Sequence, residues 1–297
     1  MAEIFQVTDD IVVLKDGKLV KTLKTAETSE QELIKAMIGR DVGDTYSNLS
    51  RNENYGDVLL EVKGLCTELL DDVSFTLRRG EILGLAGLIG AGRTEVVRAI
   101  FGADPITAGE VIFEGKTVKF KEPKDAIQAG IALCPEDRKE QGLVLFRSIR
   151  ENITIPILSK IKRGLFLDHA AEDKLAQDAV TQFTIRTPSI NKVVRELSGG
   201  NQQKVILGRW TNSKISTKLL ILDEPTKGID VGTKAEIYQM VCDFAKQGIG
   251  VIFISSELTE VINVSDRIIV MHNGHITGSV TRQEATEENV LSLAMLV

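Results

Sequence analysis

The sequence predicts an α/β fold in which a glycine-rich loop joins a buried strand to a helix. Three observations carry that prediction. Residues 81–88, EILGLAGL, form an apolar strand that runs through GLIGAGRT (87–94) into TEVVRAIFG (94–102), where Val96, Val97 and Ile100 mark one helical face. Residues 218–224, KLLILDE, form a second apolar strand that ends in two acids. The two ends of the chain repeat one unit without a gap, EIFQVTDDIVVLKDGK at 3–18 and EVINVSDRIIVMHNGH at 260–275.

The repeat sets the domain organisation. Asp9 aligns with Asp266, Ile11 with Ile268, Val13 with Val270 and Gly17 with Gly274. Each copy reads as a helix end, an apolar strand and a tight turn, at Asp16-Gly17 or Asn273-Gly274. Each then runs through Glu27 or Glu284 toward a last helix. Residues 1–42 are therefore expected to be the closing piece of a first domain whose body is missing. Residues 43–56, GDTYSNLSRNENYG, are polar and turn-rich and read as a linker. Residues 57–297 are expected to be a complete domain that closes in the same way.

Composition narrows the class. Of 297 residues, 43% are hydrophobic and 26% charged, an ordinary globular balance. The net charge of −6 argues against a dedicated nucleic-acid binder. Cys66, Cys134 and Cys242 are too few and too widely spaced for a metal cage or a disulfide framework. No apolar run approaches the roughly 20 residues that span a bilayer. The opening MAEIFQVTDD lacks the basic-then-apolar pattern of a secretory signal. A soluble cytoplasmic protein is expected, able to dock on a membrane protein.

GLIGAGRT departs from the G-x-x-x-x-G-K-[ST] phosphate loop by placing Arg93 where lysine is usual. Small residues (Gly87, Gly90, Ala91, Gly92) let the backbone wrap phosphates, and amides at the helix start point at the anion. Arginine binds oxygens as a planar fork rather than as a compact charge. Alone, the stretch fits a nucleotide site or a glycine-rich turn. A dinucleotide site also fits locally, because Glu114 follows at a strand end.

KLLILDE breaks that tie. Asp223 would hold Mg2+ together with the Thr94 hydroxyl, and Glu224 would act as general base toward water. Some 20 residues earlier, ELSGGNQQK (196–204) opens a helix at Ser198, Gly199 and Gly200 and offers a second anion cradle.

Taken together, LSGGNQQK, LILDEPTKGID and the glycine loop resemble the ATP-binding subunit of an ABC transporter. LSGGN corresponds to the signature motif, LILDE to Walker B, and Gly228-Ile229-Asp230 to the D-loop. GLIGAGRT, PEDRKEQGLV, RENI, EIYQM and FISSEL resemble, more narrowly, the second nucleotide-binding half of bacterial ribose, xylose and galactoside importers.

The resemblance implies a P-loop NTPase core of RecA-like type. It implies an antiparallel β subdomain near 57–85 and 110–120, and a helical subdomain over about 137–205. Two halves would close head to tail on two ATP molecules with Mg2+. Ser198, Gly199, Gly200, Asn201 and Gln202 would then touch ATP held by a second ABC ATPase half. Further implied partners are transmembrane permease subunits, docked around 136–155 at the cytoplasmic face of the inner membrane. A sugar-binding protein would take part indirectly, and no nucleic acid.

Four departures qualify the resemblance. GLCTELL (64–70) lacks the aromatic that stacks on adenine, a loss of about 1–3 kcal/mol on the scale of nucleobase stacking. The Q-loop position holds Glu136. The switch position, usually histidine, holds Ser256. GRWTNSKISTKLLILDE (208–224) is about two residues longer than the family pattern and reads as a surface-loop insertion. The expectation is a site that binds MgATP and hydrolyses it slowly. A chain inactive without its missing first half and a non-transport ABC ATPase are the alternatives. The latter would show a basic linker or a coiled-coil insertion, and neither is found.

Overall fold

The computed structural model describes residues 2–15, 18–29, 32–33, 36, 44–164 and 166–295. The N-terminal unit comprises α1 (Ala2–Val7), β1 (Asp10–Lys15) and β2 (Lys18–Lys24). The main body begins with β3 (Val58–Cys66), β4 (Val73–Arg78) and β5 (Ile82–Gly87). There follow α2 (Arg93–Ile100), β6 (Ala108–Phe113), β7 (Lys116–Val118), α3 (Pro123–Ala129) and β8 (Ile131–Cys134). A helical region holds α4 (Ile149–Thr154), α5 (His169–Gln182) and α6 (Gly199–Trp210). The chain continues with β9 (Leu219–Asp223), α7 (Val231–Lys246), β10 (Gly250–Ile254), α8 (Leu258–Val264), β11 (Arg267–His272), β12 (His275–Thr281) and α9 (Glu287–Ala294).

The central sheet has six strands in the order β12-β11-β5-β10-β9-β8. All its pairs are parallel except the β11–β12 hairpin. Its middle strands are apolar along their lengths, apart from end positions such as Asp223, because both faces are covered. On β9, Leu220 and Leu222 pack with the helical region and α7, while Leu219 and Ile221 pack toward α2 and the second sheet. That second sheet is antiparallel, in the order β4-β3-β6-β7. The antiparallel subdomain expected over 57–85 is thus shorter than the sequence suggested. Ile82–Gly87 pairs in parallel with β10 and β11 and belongs to the core. An all-apolar strand needs cover on both faces, which an edge sheet does not supply.

The helical region begins with one turn at Arg138–Gly142, capped by the Asp137 carboxylate on the amides of Lys139 and Glu140. A reciprocal Ser148–Glu151 box caps α4. Its last helix runs to Trp210, beyond the expected limit near 205. Buried Arg209 ties the region together by donating to Asn152 O at 2.6 Å, Gly142 O at 2.6 Å and Asn152 Oδ1 at 3.1 Å. Burial pulls its pKa down to about 10. Arg209→Ala would leave those buried carbonyls without donors. Urea denaturation should then show a loss of about 3 kcal/mol. A loss under about 1 kcal/mol would mean that the bonds are replaced by water.

The long 211–218 segment is accommodated beyond the helix end. The amide of Thr211 still bonds Leu207 O at 3.1 Å, and Asn212 Nδ2 donates to Arg209 O at 2.7 Å. The 43–56 stretch is described from Asp44 and lies along the body. It makes one helical turn at Asp44–Ser47, where Tyr46 stacks on Tyr238 at 5.4 Å. Farther on, Arg51 Nη1 donates to Val264 O at 2.9 Å and Asn52 Nδ2 to Gly80 O at 2.9 Å.

The terminal repeat extends to its irregularities. β1–β2 carries a register shift between Val13 and Leu14, and β11–β12 carries one at the aligned Val270 and Met271. The amide of Thr25 bonds Asp9 O at 3.0 Å, and that of Arg282 bonds Asp266 O at 3.1 Å. Ile11, Val13, Leu23 and Leu33 form the small core of the first unit, as the aligned Ile268, Val270, Val280 and Val290 do in the second. Asn273 and Gly274 have φ of 45° and 81°, as a primed hairpin turn requires. The aligned Asp16-Gly17 turn lies outside the described residues. The two units differ in one respect. Strand β11 pairs with both β12 and β5, whereas among the described residues β1 pairs only with β2.

Candidate nucleotide site

Three strand ends build the site. The loop 87–94 leaves the carboxyl end of β5, Asp223 and Glu224 leave that of β9, and Ser255 and Ser256 leave that of β10. Strand neighbours β5-β10-β9 bring all three to one edge of the sheet. Parallel α/β sheets place ligands in this position. A cavity of about 390 Å³ there is lined by Gly90–Glu95, Glu136, Asp223, Glu224, Lys227 and Ser256.

The loop needs its glycines. Gly90 and Gly92 have φ of 82° and 100°. A Cβ at Gly92 would also meet Leu70 Cδ2 at 2.8 Å and Gly274 Cα at 3.2 Å. The β11–β12 turn holds the loop from behind, since the amide of Gly274 bonds Ala91 O at 3.0 Å. The repeated hairpin unit therefore also buttresses the glycine loop.

Thr94 Oγ1 donates to Asp223 Oδ2 at 2.8 Å. Burial pushes the Asp223 carboxyl up to about 6, against the opposing effect of that bond. Its other oxygen, Oδ1, is buried and has no hydrogen-bond partner. An orphaned carboxylate oxygen beside a threonine hydroxyl is the hard oxygen donor set that Mg2+ takes. Burial likewise raises the Glu224 pKa, against the bond from Ser256. Ser256 Oγ donates to Glu224 Oε2 at 3.0 Å. Glu224 also sits at φ 48°, a strained conformation for a residue with a side chain. Arg93 Nη1 donates to Ser255 O at 2.9 Å, so the guanidinium joins the loop to the end of β10.

The Asp223 shift gives a pH-dependent prediction. A carboxyl whose folded pKa is raised contributes stability below its unfolded pKa, 3.8 here, and loses it as pH rises through about 6. Asp223→Asn should therefore stabilise the metal-free chain at pH 7.5 by about 2–3 kcal/mol, with the gain vanishing near pH 4. Chemical denaturation in EDTA at both pH values checks this. An equal effect at both would remove the charge as its cause.

The remaining site residues divide between this cavity and positions outside it. Glu136 lines the cavity, in an ion pair with Lys227 at 2.7 Å. Asp230 does not. Its carboxylate caps α7, accepting from Thr233 N at 3.0 Å and Thr233 Oγ1 at 2.8 Å. Ser198, Gly199, Gly200, Asn201 and Gln202 also lie outside the cavity lining, at the start of α6. There Asn201 Nδ2 donates to Ser198 Oγ at 2.9 Å, and buried Gln202 donates to Val194 O at 3.2 Å. A Cβ at Gly199 would meet Arg138 at 2.6 Å and one at Gly200 would meet Thr233 at 2.4 Å.

Sequence reasoning missed Arg138, Lys227 and Glu260. Arg138 donates to Lys227 O at 2.7 Å and joins the segment after β8 to the one after β9. A signal for Glu260 did exist, an acid on the buried face of an otherwise apolar helix turn. Beside the phosphate loop, a second cavity of about 660 Å³ is lined by Cys66–Asp71, Gly90, Gly92, Glu95 and Asn273. It carries no aromatic side chain, in line with the absence noted in GLCTELL.

A family model described as ABC transporter matches residues 70–227, a span that holds the glycine loop, the LSGG helix and the Asp-Glu strand. The chain belongs to the ABC transporter family. This ABC chain is 47% identical over 295 residues to the putative ribose/galactose/methyl galactoside import ATP-binding protein 1 of Rhizobium etli, covering 99% of itself and 56% of that relative. It is 48% identical over 299 residues to the arabinose import ATP-binding protein AraG of Mannheimia succiniciproducens, covering 100% of itself and 59% of that protein. It is 43% identical over 295 residues to the ribose import ATP-binding protein RbsA of Bacillus subtilis, covering 99% of itself and 59% of that protein. The chain thus spans 56–59% of the length of these curated relatives.

Among solved structures, it is similar to an ATP-binding cassette of an ABC transporter in its ADP conformation. The TM-score is 0.67 at 23% identity, over 80% of this chain and 98% of that one. A nucleotide-free ATP-binding cassette matches with TM-score 0.65 at 24% identity, over 80% of this chain and 96% of that one. At such identities the match speaks for the fold, an ATP-binding cassette. No described helix is long and apolar enough to cross a membrane.

Proposed function

We propose that this chain is an ATP-binding, ATP-hydrolysing part of a bacterial ABC importer for a monosaccharide, with a ribose-like pentose as the nearest class. The convergence of loop residues 89–94, Asp223, Glu224 and Ser256 on one cavity carries this reading. The loop amides and Arg93 bind phosphates. Thr94 and Asp223 would hold Mg2+, which would neutralise phosphate charge when bound. Glu224 takes the proton of the attacking water, with its carboxylate oriented by Ser256. Ser256 does not replace the γ-phosphate contact of a histidine, so the chain's own site turns over slowly.

The start of α6 is assigned to ATP held by a second ABC half, in keeping with its place outside the chain's own cavity lining. Residues 1–42 are assigned to a first domain as its closing piece. The pairing of β1 with β2 alone among the described residues and the exposed Val12, aligned with buried Ile269, support that assignment. The permease docking face is placed on the helical region. Exposed Phe146 lies there, and exposed Ile155 lines a groove of about 330 Å³ together with Val144, Leu158 and Leu167. The complex would sit at the cytoplasmic face of the membrane.

The test is MgATP binding and hydrolysis by the purified chain, alone and with the first nucleotide-binding half of a ribose-type importer. Binding alone and faster hydrolysis together are expected. No binding under either condition would overturn the reading. A second reading, binding without any hydrolysis in isolation, is favoured by the place of Ser198, Gly199 and Gly200 outside the chain's own cavity lining. Hydrolysis that appears only with the added half would select it.

A further inference from the structure

Glu260 is fully buried on α8, a titratable group that the nucleotide site does not itself use. Its Oε2 accepts from Thr226 Oγ1 at 2.5 Å and from Ser255 Oγ at 2.9 Å. Its Oε1 accepts from Lys234 Nζ at 2.7 Å. Burial works to raise its pKa, but the bonds from Lys234 and Thr226 prevail and hold the carboxyl below its usual value. A buried charge so fully engaged fixes whatever it holds.

What it holds are the two strand ends of the site. Thr226 lies two residues past Glu224. Ser255 supplies the carbonyl that accepts from Arg93 at 2.9 Å, and the next residue, Ser256, donates to Glu224 at 3.0 Å. One carboxylate oxygen therefore sets the spacing between the Asp223-Glu224 turn and the end of β10. Lys234, which balances its charge, sits one helical turn before Tyr238, the residue that stacks on Tyr46. Resting on the proposed nucleotide site, we infer that Glu260 is a positioning residue, holding Glu224, Ser256 and Arg93 in register through Thr226 and Ser255.

Positioning and plain structural support differ in what they move. Misplaced groups at the terminal phosphate weaken a transition-state mimic, while the loop that binds the diphosphate stays as it was. The experiment measures the affinity of the full chain for MgADP and for MgADP with orthovanadate. Thr226→Val removes the hydroxyl at nearly constant shape, and Thr226→Ser keeps it. Thr226→Val should lose about tenfold or more in vanadate-complex affinity with MgADP affinity within about twofold, as for a bond made to a charged group. Thr226→Ser should stay within about threefold on both by the same argument. Ser255→Ala, which leaves Glu260 its other two partners, should fall between them. Parallel losses of both affinities, or Val and Ser variants that behave alike, would overturn the positioning role. If the unaltered chain binds no MgADP, the nucleotide-site reading fails and this inference falls with it.

Discussion

Glu224→Gln should leave MgATP affinity within about twofold and lower phosphate release by about 100-fold or more, the range that a general base contributes. The two side chains have one shape, so the Ser256 hydroxyl, now at 3.0 Å from the carboxylate, keeps an acceptor. What disappears is the group able to take a proton. Burial already raises its pKa, which moves it toward the operating pH and makes it a better base. Release of labelled phosphate over hours, with binding measured separately, reads both quantities. A variant that keeps the parent rate would remove Glu224 from the role. A purified chain with brisk turnover that this change abolishes would confirm the base but contradict a slow site.

The order of these residues along the chain explains how much of the site could be read beforehand. Apolar runs such as KLLILDE are legible because a strand covered on both faces has no room for polar residues. GLIGAGRT is legible because positive φ at Gly90 and Gly92 and the close approach of Leu70 to Gly92 demand glycine there. The terminal repeat is legible as aligned apolar positions, while the paired register shifts at Val13 and Val270 are visible only in the structure. Pairwise chemistry across the fold is another matter. Glu260 meets Thr226 across 34 positions and Arg209 meets Asn152 across 57. No local periodicity encodes such partners. Asp230 shows the same. The resemblance names it as a D-loop position, and nothing local in the sequence shows that its side chain caps α7.

Arg93→Ala should lower MgATP affinity by about 30-fold. A charge-assisted hydrogen bond contributes about 1.5–3 kcal/mol, and each 1.4 kcal/mol is tenfold. The loss should be smaller for ADP, because Arg93 reaches toward Ser255 and the Glu224–Ser256 side of the cavity, where the terminal phosphate would lie. Isothermal titration with both nucleotides separates the two values. Arg93→Lys is the sharper comparison. It restores the charge usual in phosphate loops but gives up the planar fork that can hold a carbonyl and a phosphate oxygen at once. If the fork serves chiefly to bind phosphate, lysine keeps the affinity to within a few-fold. If it serves to tie the loop to the end of β10, lysine keeps ATP affinity but weakens the vanadate complex, as Thr226→Val should. Equal affinity in the alanine variant would assign phosphate binding to the loop amides and the metal alone, and would leave Arg93 as a strut between two strand ends.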